Sequence, residues 1–415
     1  MKKFIVALLA VFFVVSIVGF AYAEDKLKMS GAYRLRFWDR DNYDNWTDSN
    51  SADDQNYFDQ RFRMGGTFAV SEGITAQFRF DISEAKWGLG TDVTTKLGGN
   101  QPVGGSGAEL NVDRAYMRIE KDLYNLVVGQ HYVSFGEAIL LDQQTWGAVL
   151  RFKLPVVIDL TYDMIDENGS LNDSGTNADQ QVIGAQFSYK ADSWNAGLFG
   201  AGVLDSGAAD NNTYGIGLNG GWSGGMFAIK GEGNIYGGDI AGVDTKGAQL
   251  FVDVQANVMP NLMVGIDGYY AAGYSDDKQI TGISDWGSWT PSDWGTGFYT
   301  HLNPLGKIYN VTGGASTANP IFDPSGNSAG VMGFGLFGQW RFYEPLLLKA
   351  KYMYLTPSKD SATTLDRVSV FNIGLIYDWY KNTTLRAGFN YTGPSVDTPR
   401  SEERRVGKEC RSRWS

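Results

Sequence analysis

The amino-acid sequence predicts an all-β fold, a transmembrane antiparallel β-barrel of about 16–18 strands with short turns at one rim and long loops at the other. Three observations carry that expectation. Apolar and polar residues alternate with period two over successive segments between Met29 and Tyr391. The connections between these segments alternate short and long. Beyond residue 23, no stretch is apolar and long enough for a transmembrane helix, and none holds a clear 3.6-residue period.

The chain opens with Met1-Lys2-Lys3, an apolar run from Phe4 to Phe20, then Ala21-Tyr22-Ala23 before Glu24. A positive start, a short apolar core and small residues at Ala21 and Ala23 are what signal peptidase requires. Residues 1–23 therefore read as a signal peptide, and the exported chain as starting at Glu24. The alternative is an uncleaved anchor, for which 17 apolar residues are marginal.

The first alternating segment places Met29, Gly31, Tyr33, Leu35 and Phe37 on one face, with Arg34 and Arg36 opposite. Phe62, Met64 and Phe68 oppose Arg61 and Arg63; Phe78, Phe80 and Ile82 oppose Gln77, Arg79 and Asp81. Further on, Leu250, Val252 and Val254 oppose Gln249, Asp253 and Gln255. Leu348, Ala350, Tyr352 and Tyr354 oppose Lys349 and Lys351, and Leu385, Ala387, Phe389 and Tyr391 oppose Arg386 and Asn390. A soluble sandwich would alternate in the same way.

The connections separate the two architectures. Short turns fall at Ser71-Glu72-Gly73, Lys121-Asp122, Pro155, Asp192-Ser193, Ser223-Gly224-Gly225, Pro260-Asn261, Glu344-Pro345 and Lys381-Asn382. Longer polar stretches lie between them, at 40–56, 86–108, 136–146, 165–178, 205–211, 237–246, 275–329 and 357–365. Tight turns on one side and long loops on the other belong to an outer-membrane barrel; a sandwich has no reason to obey that order. A spanning sheet must close, because an open edge in hydrocarbon leaves backbone groups unpaired. Trp38, Tyr57, Trp194, Trp222, Trp340, Trp379 and Tyr380 recur at segment ends, as interfacial girdles require.

About 17 strands precede residue 392, whereas single-chain bacterial barrels have even numbers. Arg400–Ser415 (RSEERRVGKECRSRWS) breaks the preceding composition and resembles a translated sequencing-library adapter; a genuine basic tail is the alternative. Residues 24–399 are then expected to form a barrel cut before its closing strand, with 400–415 foreign to it.

Composition excludes several classes. The 415 residues hold one Cys and two His, so a disulfide scaffold and a multi-Cys or His-rich metal site are ruled out, and no cofactor is expected. A net charge of −11 argues against nucleic acid as partner. Without Lys2, Lys3 and the tail's six basic and three acidic residues, the body carries −16. Fifty-three glycines are roughly twice the usual share.

With the apolar faces toward lipid, the opposite faces line the lumen. Over the first six strands these carry Arg34, Arg36, Arg61, Arg63, Arg79, Arg114, Arg118, Arg151 and Lys153. One reading makes them a basic ladder at a constriction, facing Glu137 and Asp142 of an infolded loop 136–146 whose Ile139-Leu140-Leu141 suits an inward position. In the other, the arginines are simply solvated and paired with neighbours such as Asp81 and Asp113. The acidic loop with Asp41, Asp44, Asp48, Asp53 and Asp54 lacks the glycine and distal glutamate of an EF-hand. Loop 275–329, with Trp286, Trp289 and Trp294, is long enough to cover the mouth or touch a neighbour. Enzyme readings fare poorly: His131 and Ser134 are three apart, so on a strand they point to opposite faces, and His301 lacks an obvious partner.

The stretches KMSGAYRLRFWDRDN, FDQRFRMGGTFAVSEGITAQFRFDISEAKWG, VDRAYMRI and VVGQHYVSFGEAILLDQQTWGAVLRF resemble the Gram-negative outer-membrane porins. They are most similar to the homotrimeric porins of sulfate-reducing bacteria, over roughly residues 1–165. The resemblance implies passive diffusion of ions and small hydrophilic solutes, homotrimers set in outer-membrane lipid and lipopolysaccharide, and a pore narrowed by the loop after VGQHYVSFG. It also implies a final aromatic-ended strand read by the barrel-assembly machinery, which this chain lacks. A barrel serving mainly as surface anchor, adhesin or outer-membrane enzyme is the competing reading.

Overall fold

A computed structural model describes residues 26–40, 55–86, 110–137, 139–167, 179–205, 212–240, 243–272, 331–356, 358 and 365–396. Seventeen strands form there: β1 (Leu27–Arg40), β2 (Gln55–Ser71), β3 (Ile74–Lys86), β4 (Leu110–Glu120), β5 (Tyr124–Phe135), β6 (Leu141–Phe152), β7 (Val157–Glu167), β8 (Asp179–Lys190) and β9 (Trp194–Asp205). They continue as β10 (Asn212–Gly224), β11 (Phe227–Ile240), β12 (Val243–Met259), β13 (Leu262–Ala271), β14 (Val331–Tyr343), β15 (Leu346–Thr356), β16 (Leu365–Tyr380) and β17 (Thr383–Val396). All belong to one antiparallel sheet. The signal segment, the five aspartates of loop 40–56, loop 275–329 with its tryptophans and His301, and the tail 400–415 lie outside the described residues.

The strands divide into two compact units. The first holds β1–β4, β5 through Tyr132, and β6 from Gln144; the second holds residues 133–143 and β7–β17. In the first, β1 to β5 pair consecutively. In the second, β7 to β17 do the same. Sequential hairpins of this kind need no crossover connection.

All eight short turns stand where the sequence places them. Two of the expected long connections do not. The stretch 237–246 is almost wholly strand, with β11 running to Ile240 and β12 starting at Val243. Its glycines read as loop residues but serve close packing. A Cβ at Gly237 would lie 2.7 Å from the Tyr214 hydroxyl, and one at Gly238 would lie 2.1 Å from the Asn212 carbonyl oxygen. The stretch 136–146 is likewise shorter than expected, because β6 begins at Leu141.

Burial is inverted relative to a soluble protein. Tyr33, Leu35 and Phe37 of β1, Tyr214, Ile216 and Leu218 of β10, and Phe389 and Tyr391 of β17 are all exposed. Between them the polar faces are covered: Asp253, Asp267 and Lys351 are 1%, 1% and 2% exposed. Trp194, Trp222, Trp340, Trp379 and Tyr380 are exposed at short-turn ends of β9, β10, β14 and β16, where an aromatic belt meets the membrane interface. The covered faces also hold rings, and the glycine excess makes room for them. A Cβ at Gly217 would lie 2.3 Å from Phe199, one at Gly265 2.3 Å from Phe337, and one at Gly184 2.4 Å from Phe135.

Candidate functional site

In the first unit, pairing register brings the arginines of β1–β4 onto one face. Arg34 stands opposite Arg61, Arg63 opposite Asp81, and Arg79 opposite Arg114. Like charges directly opposite repel, so this face requires carboxylates. Arg63 donates to Asp81 twice, at 2.5 and 2.9 Å, in a bidentate pair. Asp113 receives the rest: Arg79 donates to it, Arg63 approaches within 3.8 Å and Arg114 within 3.3 Å. That convergence rests on a bulge. Register slips between Arg79 and Phe80, whose partners are Arg114 and Val112, leaving Asp113 as the extra residue. Bulges re-aim side chains in this way. Asp81 and Asp113 are the described carboxylates that meet Arg63, Arg79 and Arg114.

Arg118 continues the same face of β4, opposite Thr75 of β3 and nearer the short turn. Arg151 is exposed near the end of β6. Lys153 lies one residue past β6, rather than on the strand wall, and donates to Glu120 at 2.9 Å and to the Lys121 carbonyl at 3.0 Å. The side chains of Arg36 and Asp142 are outside the described set, and Asp142 falls within β6 rather than in a loop.

The second unit carries a row of charges that sequence reasoning did not single out. Lys230 of β11 faces Asp253 of β12, which faces Asp267 of β13. Lys351 of β15 reaches back to donate to Asp267 at 2.5 Å and to the Tyr269 hydroxyl at 2.7 Å. This contact spans β14 at Gly335, where a Cβ would lie 2.1 Å from Asp267 Oδ1 and 2.9 Å from Lys351 Cε. The rings of Tyr269 and Phe337 flank the ammonium at 5.4 and 5.7 Å. Asp253 and Lys351 were visible on polar faces, but the Lys351–Asp267 partnership joins residues 84 apart. The glycine at 335 was its only local signal.

Residues 136–140, also in the second unit, lie against β8, β9 and β11. Gly136 has φ +65° and donates its N–H to Gln186 at 3.0 Å. Glu137 pairs through its carboxylate with Lys230 at 3.2 Å and through its N–H with Glu232. Ile139, Leu140 and Leu141 are buried. On β5, His131 is buried and Ser134 exposed, so they lie on opposite faces and do not form a nucleophile–base pair.

No family model matches the chain, and no curated protein matches it in sequence. Its fold does match solved structures. OccK9 (OpdG) of Pseudomonas aeruginosa aligns at TM-score 0.58 and 13% identity, covering 90% of this chain and 96% of that one. The outer membrane protein OpdK of the same organism aligns at 0.57 and 10% identity, covering 90% and 95%. A BenF-like porin from Pseudomonas fluorescens Pf-5 aligns at 0.54 and 11% identity, covering 91% and 95%. The chain therefore has the β-barrel fold of Gram-negative outer-membrane porins.

Proposed function

We propose that the chain is an outer-membrane porin, letting ions and small hydrophilic solutes diffuse through a water-filled barrel with a charged constriction. The observation that carries this reading is the inversion of faces: large apolar side chains are exposed along the strands, while arginine, lysine and aspartate are ion-paired on the opposite side. Lipid covers the first kind of face and a wet lumen tolerates the second. An anchor or adhesin would need no basic wall. The arginines of β1–β4 and Glu137 are the selectivity groups in this reading. OpdK has also been solved with vanillate, a small carboxylate of the charge that such a wall would hold. Processing after Ala23, homotrimers, and insertion by the barrel-assembly machinery into lipid and lipopolysaccharide belong to the same reading; the first rests on the leader pattern of residues 1–23 and the others on the sequence resemblance.

Planar-bilayer recordings test it. The protein is expected to form open, ion-conducting channels, and a dry barrel would return the anchor reading. Replacing Arg61 and Arg63 with Gln is expected to shift the reversal potential toward cations, changing the permeability ratio at least about twofold. Unchanged selectivity in that variant would remove the basic wall from the pore's selectivity.

A further inference from the structure

The carboxylate of Glu232 occupies an unusual place for a β-barrel wall. It is 2% exposed, on β11, and two groups donate to it. The backbone N–H of Glu137 donates to its Oε2. Asn234 Nδ2 donates to its Oε1 at 2.8 Å. A backbone amide of the turn is thus met by a carboxylate that the chain itself supplies, 95 residues further on.

The surroundings fit that arrangement. Gly136 turns the chain toward Glu232 with φ +65°, and a Cβ there would lie 2.3 Å from Glu232 Oε2 and 2.5 Å from Phe199 Cζ. Gln186 accepts the Gly136 N–H, and Lys230, two residues before Glu232 on the same face, pairs with the Glu137 carboxylate. Lys230 thus holds the loop's side chain, and Glu232 holds its backbone. The difference matters: a lysine–glutamate pair one-third exposed on both sides contributes little, whereas a backbone N–H left without its acceptor in a covered site is costly.

We propose that Glu232 is the positioning residue of the constriction, a latch that fixes loop 136–140 to the inner wall from β11. The place of the loop in a pore rests on the porin reading; the latch itself does not. Hydrogen exchange of the full chain folded in detergent micelles reads the latch directly. In E232A, taken forward once its barrel is shown to be folded, the segment 133–140 is expected to exchange at least about tenfold faster than in the parent. E232Q, whose amide oxygen still accepts an N–H, is expected to restore most of the protection. K230M is expected to change it less than E232A does. Should E232A not fold, E232D carries the same expectation, because it withdraws the carboxylate by one methylene. Equal exchange in the parent and the shortened variants would overturn the latch, and so would an E232Q variant as exchange-prone as E232A. Conductance separates the two proposals. E232A channels are expected to show larger or flickering currents than the parent; steady parental currents in a variant with an unprotected loop would sink the positioning role. A parent that protects the loop but conducts nothing would defeat the porin reading and leave the latch standing.

Discussion

Asp267→Ala is expected to destabilise the folded protein by about 3–5 kcal/mol, the loss typical when one partner of a buried ion pair is removed. Lys351 is 2% exposed and has Asp267 as its carboxylate partner at 2.5 Å. Without it, the ammonium loses its 2.5 Å carboxylate contact in a covered site, while the Tyr269 hydroxyl and two ring faces remain beside it. The loss is the desolvation of a charge whose direct carboxylate has been removed, not the net worth of the pair, and that distinction is testable. The double variant Asp267→Ala, Lys351→Met removes both charges and is expected to recover most of the stability. Urea unfolding followed by tryptophan fluorescence measures both. A single variant within about 1 kcal/mol of the parent would show that water reaches the pair and screens it.

Leu218→Arg is expected to cost about 2–4 kcal/mol in a bilayer, the penalty for arginine at the lipid-facing midplane of a barrel. Leu218 is central in β10, 62% exposed, between Leu198 of β9 and Gly233 of β11. At Trp222, four residues nearer the short turn, the same change is expected to cost about 1 kcal/mol or less. The depth profile is the discriminating part. On a soluble sheet an exposed leucine can become arginine almost without cost, so equal, small effects at both positions would contradict a membrane-spanning β10.

Much of this was legible locally. Period-two alternation survives any change of register partner, because successive side chains point to opposite faces whatever the neighbouring strand is. The turn sites were legible because Gly, Pro, Asn and Asp mark backbone conformations that other residues resist. The basic character of the first four strands was equally plain from Arg34, Arg61, Arg63 and Arg79. Glycine was the misleading residue. At 237–238 it signals a loop by composition, yet there it admits Tyr214 and the Asn212 carbonyl.

The sequence alone determined a barrel of alternating strands with apolar faces outward, eight tight turns and a basic segment near its start. Only the tertiary structure decided which charges meet. The bulge that aims Asp113 at Arg79, the reach of Lys351 over Gly335 to Asp267, and the capture of loop 136–140 by Glu232 all join residues that are neighbours through register rather than through the chain. Alternation fixes the face on which a side chain lies, but its height along the barrel depends on stagger, which a single strand does not encode.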